Sequence, residues 1–482
     1  MENKEIENIK TQTTHSVFFL TLRNFGIQGI STLGFFLLTI LLGTGDVGLF
    51  AIVAESIGIL GYFSDVGLAS ALIQQKNEPD TKSLRTTFTI QQTLVLLCLI
   101  VLAIFYPRLA ISKSYGDREL WILISLAFSF FTSSLKTIPS IRLERKLNYK
   151  LISTVDIIEN ILFYLIAVIF AWRGFGTYSY AIATFIKSIV GLIIIYHLSP
   201  WPIGFDFDKK TAKKLFSFGI PFQLNSLISM AKDRFSNIFV AGILGREGFG
   251  ILSWAQKGPR IPLSFMDAVM RVSFPTFSRL QGEKEYLKKS LEKSIYFIAL
   301  LVFPSLLGLS ILAPDIINLI PKYGKWLPAV TPLYFYAASY AIASVTTPIT
   351  NAFNATGHIK LTTKLMIMWT VLTWLFFPFL SLKFGYTGTA VASLIVGSSS
   401  FLVWFLANKL YRVNILKVIF HPLIGTLLIF LSTFPLNYFP MPLLTSVILK
   451  IIISVSVYGL YQFIFNRDQL LWFYNQFQKS RK

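Results

Sequence analysis

Hydrophobic runs of about 20 residues recur along the whole chain and are separated by short polar connections. A helix needs roughly 20 apolar residues to cross the hydrocarbon core of a bilayer, so the pattern is typical of a polytopic helical membrane protein. It predicts an all-α fold with about fourteen transmembrane helices, which we call spans 1–14 in chain order. Their predicted bounds are 16–42, 47–74, 86–107, 119–139, 151–172, 177–198, 216–243, 247–275, 293–313, 328–356, 361–382, 386–408, 415–435 and 442–465.

The sequence also contains an internal repeat. The matched segments are residues 41–50 with 243–252, Asp65 with Asp267, and Phe175-Gly176 with Phe384-Gly385. The first two matches share an offset of 202 and the third has an offset of 209. They indicate two pseudo-symmetric halves of six spans each, as in transporters whose two lobes rock around a central site. The predicted domains are an N-terminal lobe over 1–211, a C-terminal lobe over 212–411, and two additional helices with a tail over 412–482.

Composition and charge support the membrane class. The 482 residues are 54% hydrophobic and 14% charged, and a soluble protein could not bury so much apolar surface. The net charge of +21 would suit a nucleic-acid partner, but most of the 44 Lys and Arg lie in the loops on the side of the two termini. By the positive-inside rule, this asymmetry predicts that both termini are cytoplasmic. We therefore expect membrane lipid, and not nucleic acid, to be the partner of this charge.

Charged residues inside the spans are the best candidates for function. In span 8 the polar positions follow one helical stripe, which consists of Lys257, Arg260, Ser264, Asp267 and Arg271. A cation in the hydrocarbon core costs roughly 2.5 kcal/mol or more unless it has a partner or a watery cavity. The stripe therefore predicts a polar space between helices that holds an anion.

Several motifs resemble those of the bacterial polysaccharide transporter family, the O-antigen and exopolysaccharide flippases of the multidrug/oligosaccharidyl-lipid/polysaccharide flippase superfamily. The segments that carry the resemblance are 63–68 with 71–76, 142–150, 218–221, 243–252 and 274–281. The resemblance covers roughly residues 16–410, and Lys257 stands where the family commonly has a basic residue before a helix-eight proline, here Pro262. Ser236 departs from the pattern, because many members have an acidic residue there, and this puts any carried-over ion site in helix seven in doubt.

The resemblance implies a function. It implies that an undecaprenyl-diphosphate-linked oligosaccharide is moved from the inner to the outer leaflet of the bacterial cytoplasmic membrane by alternating access. Cell-surface polysaccharide synthesis would follow, with a polymerase and chain-length machinery as further partners. Lys and Arg can replace the hydration of a diphosphate. The candidate diphosphate-binding residues are Arg23, Lys232, Arg234, Lys257, Arg260 and Arg271.

Acidic and amide residues inside the spans suggest two further roles. A carboxylate in a membrane is a plausible site for a coupling proton or sodium ion. The candidates are Glu55, Asp65, Asp233 and Asp267. In span 10, Thr347, Asn351 and Asn354 lie on one face with His358 and could contact sugar hydroxyls. The alternative for every one of these residues is structural, through salt bridges or hydrogen bonds between helices.

Two other functions remain open from the sequence. The first is an ion-coupled multidrug exporter of the same superfamily, although a basic cavity is the wrong polarity for cationic drugs. The second is a polytopic glycosyltransferase or polysaccharide polymerase. Asp206-Phe207-Asp208 resembles the DxD of sugar-nucleotide transferases, but it lies in a short lysine-rich linker and is better explained as a turn. No cofactor, metal site or enzymatic activity is expected. Spans 13 and 14, which contain no acidic residue, are predicted to flank the polyprenyl tail.

Overall fold

The computed structural model describes residues 24, 26–75, 78–113 and 116–467, and within these ranges it contains helices and no strand. The chain divides into two compact units, Met1–Gly250 and Ile251–Lys482. The lobe boundaries at 211 and 411 follow from the sequence repeat, and they stay a prediction.

Among the described residues, the first unit contains nine complete helices and the part of α10 that ends at Gly250. These are α1 (Gly26–Leu41), α2 (Thr44–Asp65), α3 (Leu68–Gln74), α4 (Thr81–Lys113), α5 (Asp117–Leu135), α6 (Thr137–Arg145), α7 (Tyr149–Trp172), α8 (Tyr178–Leu198), α9 (Lys209–Met230) and α10 (Ser236–Arg260). A π-helical turn, Ala231–Phe235, joins α9 to α10. Buried side chains such as Leu68, Phe88 and Ile138 form one of its cores.

The second unit contains the end of α10 and the remaining helices. These are α11 (Leu263–Arg279), α12 (Lys284–Leu319), α13 (Val330–Ala355), α14 (Ile359–Ser398), α15 (Phe401–Tyr411), α16 (Ile415–Thr433) and α17 (Leu443–Phe465). Phe277, Ile295 and Phe353 belong to its largest apolar core. Exposed leucines such as Leu375 and Leu382 on α14 are the apolar surface expected of helices that face lipid.

Glycines in the left-handed region separate adjacent spans. Gly245 has φ +66° inside α10, and Gly385 has φ +60° inside α14. Gly176, which the sequence repeat pairs with Gly385, has φ +54°. Only glycine adopts these angles without strain, so the chain can change direction there. The breaks fall where the hydrophobic pattern places the boundaries between spans 7 and 8 and between spans 11 and 12.

Predicted spans 2, 4, 8 and 12 are each divided between two α-helices, a detail that the hydrophobic pattern does not predict. Span 12 divides into α14 and α15 at Ser399 and Ser400. Span 2 divides into α2 and α3 because Val66 and Gly67 both have positive φ. Span 4 divides into α5 and α6 at Lys136, and span 8 divides into α10 and α11 just before Leu263. In span 8 the cause is Pro262, which lacks the N–H that a continuous helix requires.

The predicted membrane class is confirmed. Among the described residues, ten helical stretches are long and apolar enough to cross a membrane, and Gly26–Leu41 is a shorter apolar helix. One of the ten, Ile359–Tyr411, contains both span 11 and span 12. The protein is therefore an all-α, multi-span membrane protein.

Candidate substrate-binding site

The π-helical turn Ala231–Phe235 presents two of the predicted cations. Arg234 Nη1 donates to Glu55 Oε2 of α2 at 3.1 Å, and Asn237 Nδ2 lies 3.4 Å from Glu55 Oε1. Gly58 lies against the Arg234 guanidinium, and a Cβ at Gly58 would overlap it. Glu55 and Arg234 therefore hold α2 to the π turn, which is the interhelical pairing that the sequence left open for both residues.

Lys232 and Asp233 form a second ion pair in the same turn. Lys232 Nζ lies 2.6 Å from Asp233 Oδ1, and their side chains are 26% and 60% exposed. Asp233 is largely accessible and Lys232 is partly so, and the pair therefore contributes little to stability and can exchange a partner for a ligand. Turns of this π type insert one extra residue and are frequent at functional sites. The sequence did not predict this feature, because its hydrophobic period resembles that of an ordinary helix.

Asp65 has a local structural role. Its Oδ1 accepts a hydrogen bond from the Ala69 backbone N–H at 3.1 Å, at the start of α3. This interaction satisfies one of the N–H groups that the first turn of a helix leaves without a partner. Whether Asp65 also takes up an ion during transport stays a prediction.

The stripe of span 8 continues across the break between α10 and α11. Lys257 and Arg260 lie in the last turn of α10, whereas Asp267 and Arg271 lie on α11. Lys257 is half-buried, and the other three are exposed. Ser264, the fifth member, hydrogen-bonds to its own turn through the Ile261 carbonyl. The charged members are thus kept out of the protein core, on two consecutive helices of the second unit.

Polar residues of α13 are partly used by local hydrogen bonds. Thr347 Oγ1 donates to the Ala343 carbonyl at 2.9 Å, and Asn354 Oδ1 accepts from Thr362 at 2.6 Å. Asn351 is half-buried, and His358, which ends the stripe, is exposed. The remaining predicted site residue, Arg23, lies outside the described residues.

The second unit contains a cavity of about 930 Å³. Its walls come from α12, α13, α15 and α16, with apolar side chains such as Phe303, Trp404 and Ile419. Asp315, Asn437 and Lys450 supply polar groups to the lining. Lys450 Nζ lies 2.6 Å from both Asp315 Oδ2 and Asn437 Oδ1, so this lysine of span 14 is paired. A mainly apolar cavity of this size suits a ligand with a long apolar part.

The DxD-like segment is used to begin a helix. Asp208 Oδ2 accepts hydrogen bonds from the backbone and the hydroxyl of Thr211 at 2.8 and 2.7 Å, directly before α9. These hydrogen bonds, with a smaller contribution from Lys82, hold the pKa of Asp208 below its ordinary value. Asp206 Oδ1 accepts from the adjacent Phe207 N–H. The geometry agrees with a turn and a helix cap in this linker.

Comparison with known proteins identifies the family. The model of a family described as polysaccharide biosynthesis protein matches residues 37–331. The chain belongs to this family. The match covers more than half of the chain and confirms the resemblance that the sequence motifs indicated.

Curated relatives have related names. The chain is 27% identical over 272 residues to the teichuronic acid biosynthesis protein TuaB of Bacillus subtilis, which covers 55% of each protein. It is 25% identical over 312 residues to the succinoglycan biosynthesis transport protein ExoT of Rhizobium meliloti, or 64% of this chain and 62% of ExoT. An uncharacterized membrane protein of the cps region of Klebsiella pneumoniae is 23% identical and is matched over 96% of its length. The chain thus spans little more than half the length of TuaB and ExoT.

Solved structures show the same fold. The lipid II flippase MurJ in an inward closed conformation has a TM-score of 0.78 at 18% identity, over 94% of this chain and 100% of MurJ. An inward-facing multidrug resistance transporter of the MATE family has a TM-score of 0.58 at 17% identity, over 81% of this chain and 95% of that one. These similarities confirm the predicted fold class, an all-α multi-span fold like that of these two proteins.

Proposed function

We propose that the protein is a flippase that moves an undecaprenyl-diphosphate-linked oligosaccharide from the inner to the outer leaflet of the bacterial cytoplasmic membrane by alternating access. It serves the synthesis of a cell-surface polysaccharide. Membership of the polysaccharide biosynthesis family supports the substrate class. The MurJ-like fold supports the kind of movement, because MurJ is a lipid II flippase.

The observation that carries the proposal is the position of the span 8 charges. Arg260 and Arg271 are exposed on helices of an apolar protein, with Lys257 partly buried beside them. Cations directed into lipid would each cost several kcal/mol, so their accessible surface is better explained by a watery cavity. In such a cavity they bind the diphosphate, whose oxygens accept several charge-assisted hydrogen bonds at once. The exposed Asp267 lies among them and limits the net charge when the cavity is empty.

The polyprenyl tail needs an apolar surface while the headgroup crosses. The cavity beside α16 offers this surface, since its walls are mainly apolar and its volume is about 930 Å³. The tail enters this cavity from the apolar bilayer and not from water, so the contact stabilises the complex through van der Waals packing. We therefore assign the tail to this cavity and the sugar to the polar face of α13, through Thr347, Asn351 and Asn354.

The remaining expectations complete the proposal. A proton or sodium ion drives the cycle, and the candidate sites for this ion include the intramembrane carboxylates Glu55, Asp65, Asp233 and Asp267. Both termini are cytoplasmic, and a polymerase with its chain-length machinery receives the product on the outer side. The protein itself performs no chemical reaction on the glycan.

A charge-neutral double variant tests the proposal. Lys257→Gln/Arg260→Gln should abolish polymer export by cells and flipping of the lipid-linked oligosaccharide in reconstituted vesicles, because the diphosphate loses two of its cations. The matched control is Lys360→Gln/Lys364→Gln, which removes two exposed lysines from α14 of the same unit. The control should keep the wild-type rate, and both variants should insert in wild-type amounts. Normal export by the Lys257/Arg260 variant would refute the proposed role of these cations.

A further inference from the structure

Three charged side chains that the proposed function does not use meet inside the first unit. Lys136 Nζ, at the end of α5, lies 2.6 Å from Glu159 Oε1 of α7, and the two side chains are only 18% and 17% exposed. Lys187 of α8 is partly buried, and its Nζ lies 4.6 Å from the centre of the Phe163 ring. Glu159 also lies against Gly191 of α8, one helical turn after Lys187. We call Lys136, Glu159 and Lys187 the Lys–Glu–Lys cluster.

The cluster lies well inside the predicted membrane-spanning region. Glu159 is ten residues into α7, or about 15 Å along its axis, and Lys187 is near the middle of α8. Gly191 of α8 permits the close approach, because a Cβ at this position would overlap the Glu159 carboxylate. The two helices are thus shaped to bring the carboxylate against α8 at membrane depth.

The charges of the cluster do not balance. Two ammonium groups lie near one carboxylate, which is ion-paired with Lys136, and an uncompensated charge in a low-dielectric interior is costly. The charged groups that act on Lys187 from the neighbouring helices are Glu159 of α7 and Lys136 of α5. Asp156 lies one turn before Glu159 and has its own interaction. Loss of one proton from Lys187 would leave a neutral amine beside a balanced Lys136–Glu159 pair.

A buried hydroxyl beside the cluster lacks a partner. Thr184 is one helical turn before Lys187 on α8 and is 0% exposed. Its Oγ1 has no hydrogen-bond partner among the residues that the structure describes. Buried polar groups are nearly always hydrogen-bonded, so the Thr184 hydroxyl is expected to gain a partner in another state of the protein. A neutral Lys187 amine can accept such a hydrogen bond, whereas an ammonium group cannot.

We propose that the Lys–Glu–Lys cluster is a proton-binding site, in which the Lys187 amine binds and releases one proton in each transport cycle. This inference rests on the proposed function and identifies a coupling site outside the four carboxylates considered above. The proton binds to the lone pair of Nζ and leaves from it, and no other covalent bond changes. Glu159 stabilises the protonated form, and Lys136 weakens that stabilisation. A metal cation is disfavoured there by two ammonium groups.

Replacement of Lys187 by arginine provides the decisive test. A guanidinium group keeps the positive charge and the contact with the Phe163 ring, but it does not release its proton in a protein. The full-length protein is reconstituted with labelled lipid-linked oligosaccharide, and flipping is measured with and without a gradient of about one pH unit, which can supply up to a tenfold driving force. The wild type should respond several-fold to the gradient. Lys187→Arg and Lys187→Gln should flip at one rate regardless of the gradient.

Matched variants separate this role from a structural one. If Lys187 only holds helices together, Lys187→Arg will respond to the gradient like the wild type, and the proposal is overturned. Lys383→Arg is the control, because Lys383 also lies over a ring, 4.5 Å from the centre of Phe379, but outside the cluster. It should keep the full response. If Lys187→Gln does not fold, Lys187→Arg alone decides.

Other outcomes distinguish this inference from the proposed function. If the wild type flips the substrate at a rate that does not depend on the pH gradient, or that depends on a chloride gradient instead, the proposed proton site is overturned. The proposed flippase function is not affected by this outcome. Loss of the response in Asp65→Asn, with Lys187→Arg unaffected, also overturns it. A wild type that does not flip the substrate under any gradient refutes both proposals.

Discussion

Removal of Lys450 tests how a buried ion pair holds α17 to α12 within the second unit. The Lys450 side chain is 3% exposed and that of Asp315 is 16% exposed, with 2.6 Å between Nζ and Oδ2. At this distance and an effective dielectric constant near 20, the Coulomb attraction is about 6 kcal/mol. Desolvation of two ions costs several kcal/mol each, so the net contribution of the intact pair is close to zero. The large effect arises when one partner is removed and the other stays buried.

Lys450→Met should therefore destabilise the protein by about 3–5 kcal/mol, because Asp315 loses its cation. Asp315→Leu added to Lys450→Met should restore most of this loss, since two apolar side chains suit the lining of the cavity. The measurement is denaturant unfolding in detergent, followed by tryptophan fluorescence. Lys383→Met, an exposed lysine of the same unit, should change stability by less than about 0.5 kcal/mol. The reasoning fails if Lys450→Met is as stable as the wild type, or if the double variant is no more stable than Lys450→Met.

Two glycine substitutions give further tests with the same unfolding measurement. Gly385→Ala should lower the free energy of unfolding by about 1–2 kcal/mol, because φ is +60° there. The control is Gly308→Ala in α12, which has open space and helical geometry and should be neutral or stabilising. Equal effects of the two substitutions would contradict the strain assigned to Gly385. Gly48→Ala should lower the free energy of unfolding by about 1–3 kcal/mol, because its Cβ would overlap the Arg246 carbonyl. The control is Gly242→Ala, since a Cβ at Gly242 would meet nothing within 4 Å. A fully stable Gly48→Ala would show that α2 can move aside.

The positions of the spans could be predicted because they depend on local chemistry. Length and hydropathy indicate where helices cross the membrane, and Gly245, Gly385 and Pro262 mark places where a helix must turn or stop. Interruption of span 2 was missed, because it depends on Val66 as well as Gly67, and valine rarely adopts positive φ. A hydrophobic pattern contains no signal for such a residue.

The partners of the charges could not be predicted from the sequence. Arg234 pairs with Glu55, which is 179 positions away. Other charged residues of the same two spans lie at similar separations along the chain, so the sequence does not select this pair. The repeat relates Asp65 to Asp267, yet Asp65 caps α3 and Asp267 is exposed on α11. An equivalent position in a repeat therefore does not give a residue an equivalent environment. The Lys–Glu–Lys cluster was missed for a related reason, since its members come from three spans and each has an ordinary local sequence.

The clearest match of the repeat has a physical explanation in the first unit. Gly48 and Gly250 are related by the offset of 202, and they lie against each other: a Cβ on Gly48 would be 2.7 Å from the Gly250 nitrogen. A Cβ on Gly48 would overlap the Arg246 carbonyl, and a Cβ on Gly250 would overlap the Thr44 carbonyl, so both glycines are under the same steric constraint. The segments 41–50 and 243–252 resemble each other because they flank this contact, whereas positions away from it, such as Asp65 and Asp267, are free to acquire different roles.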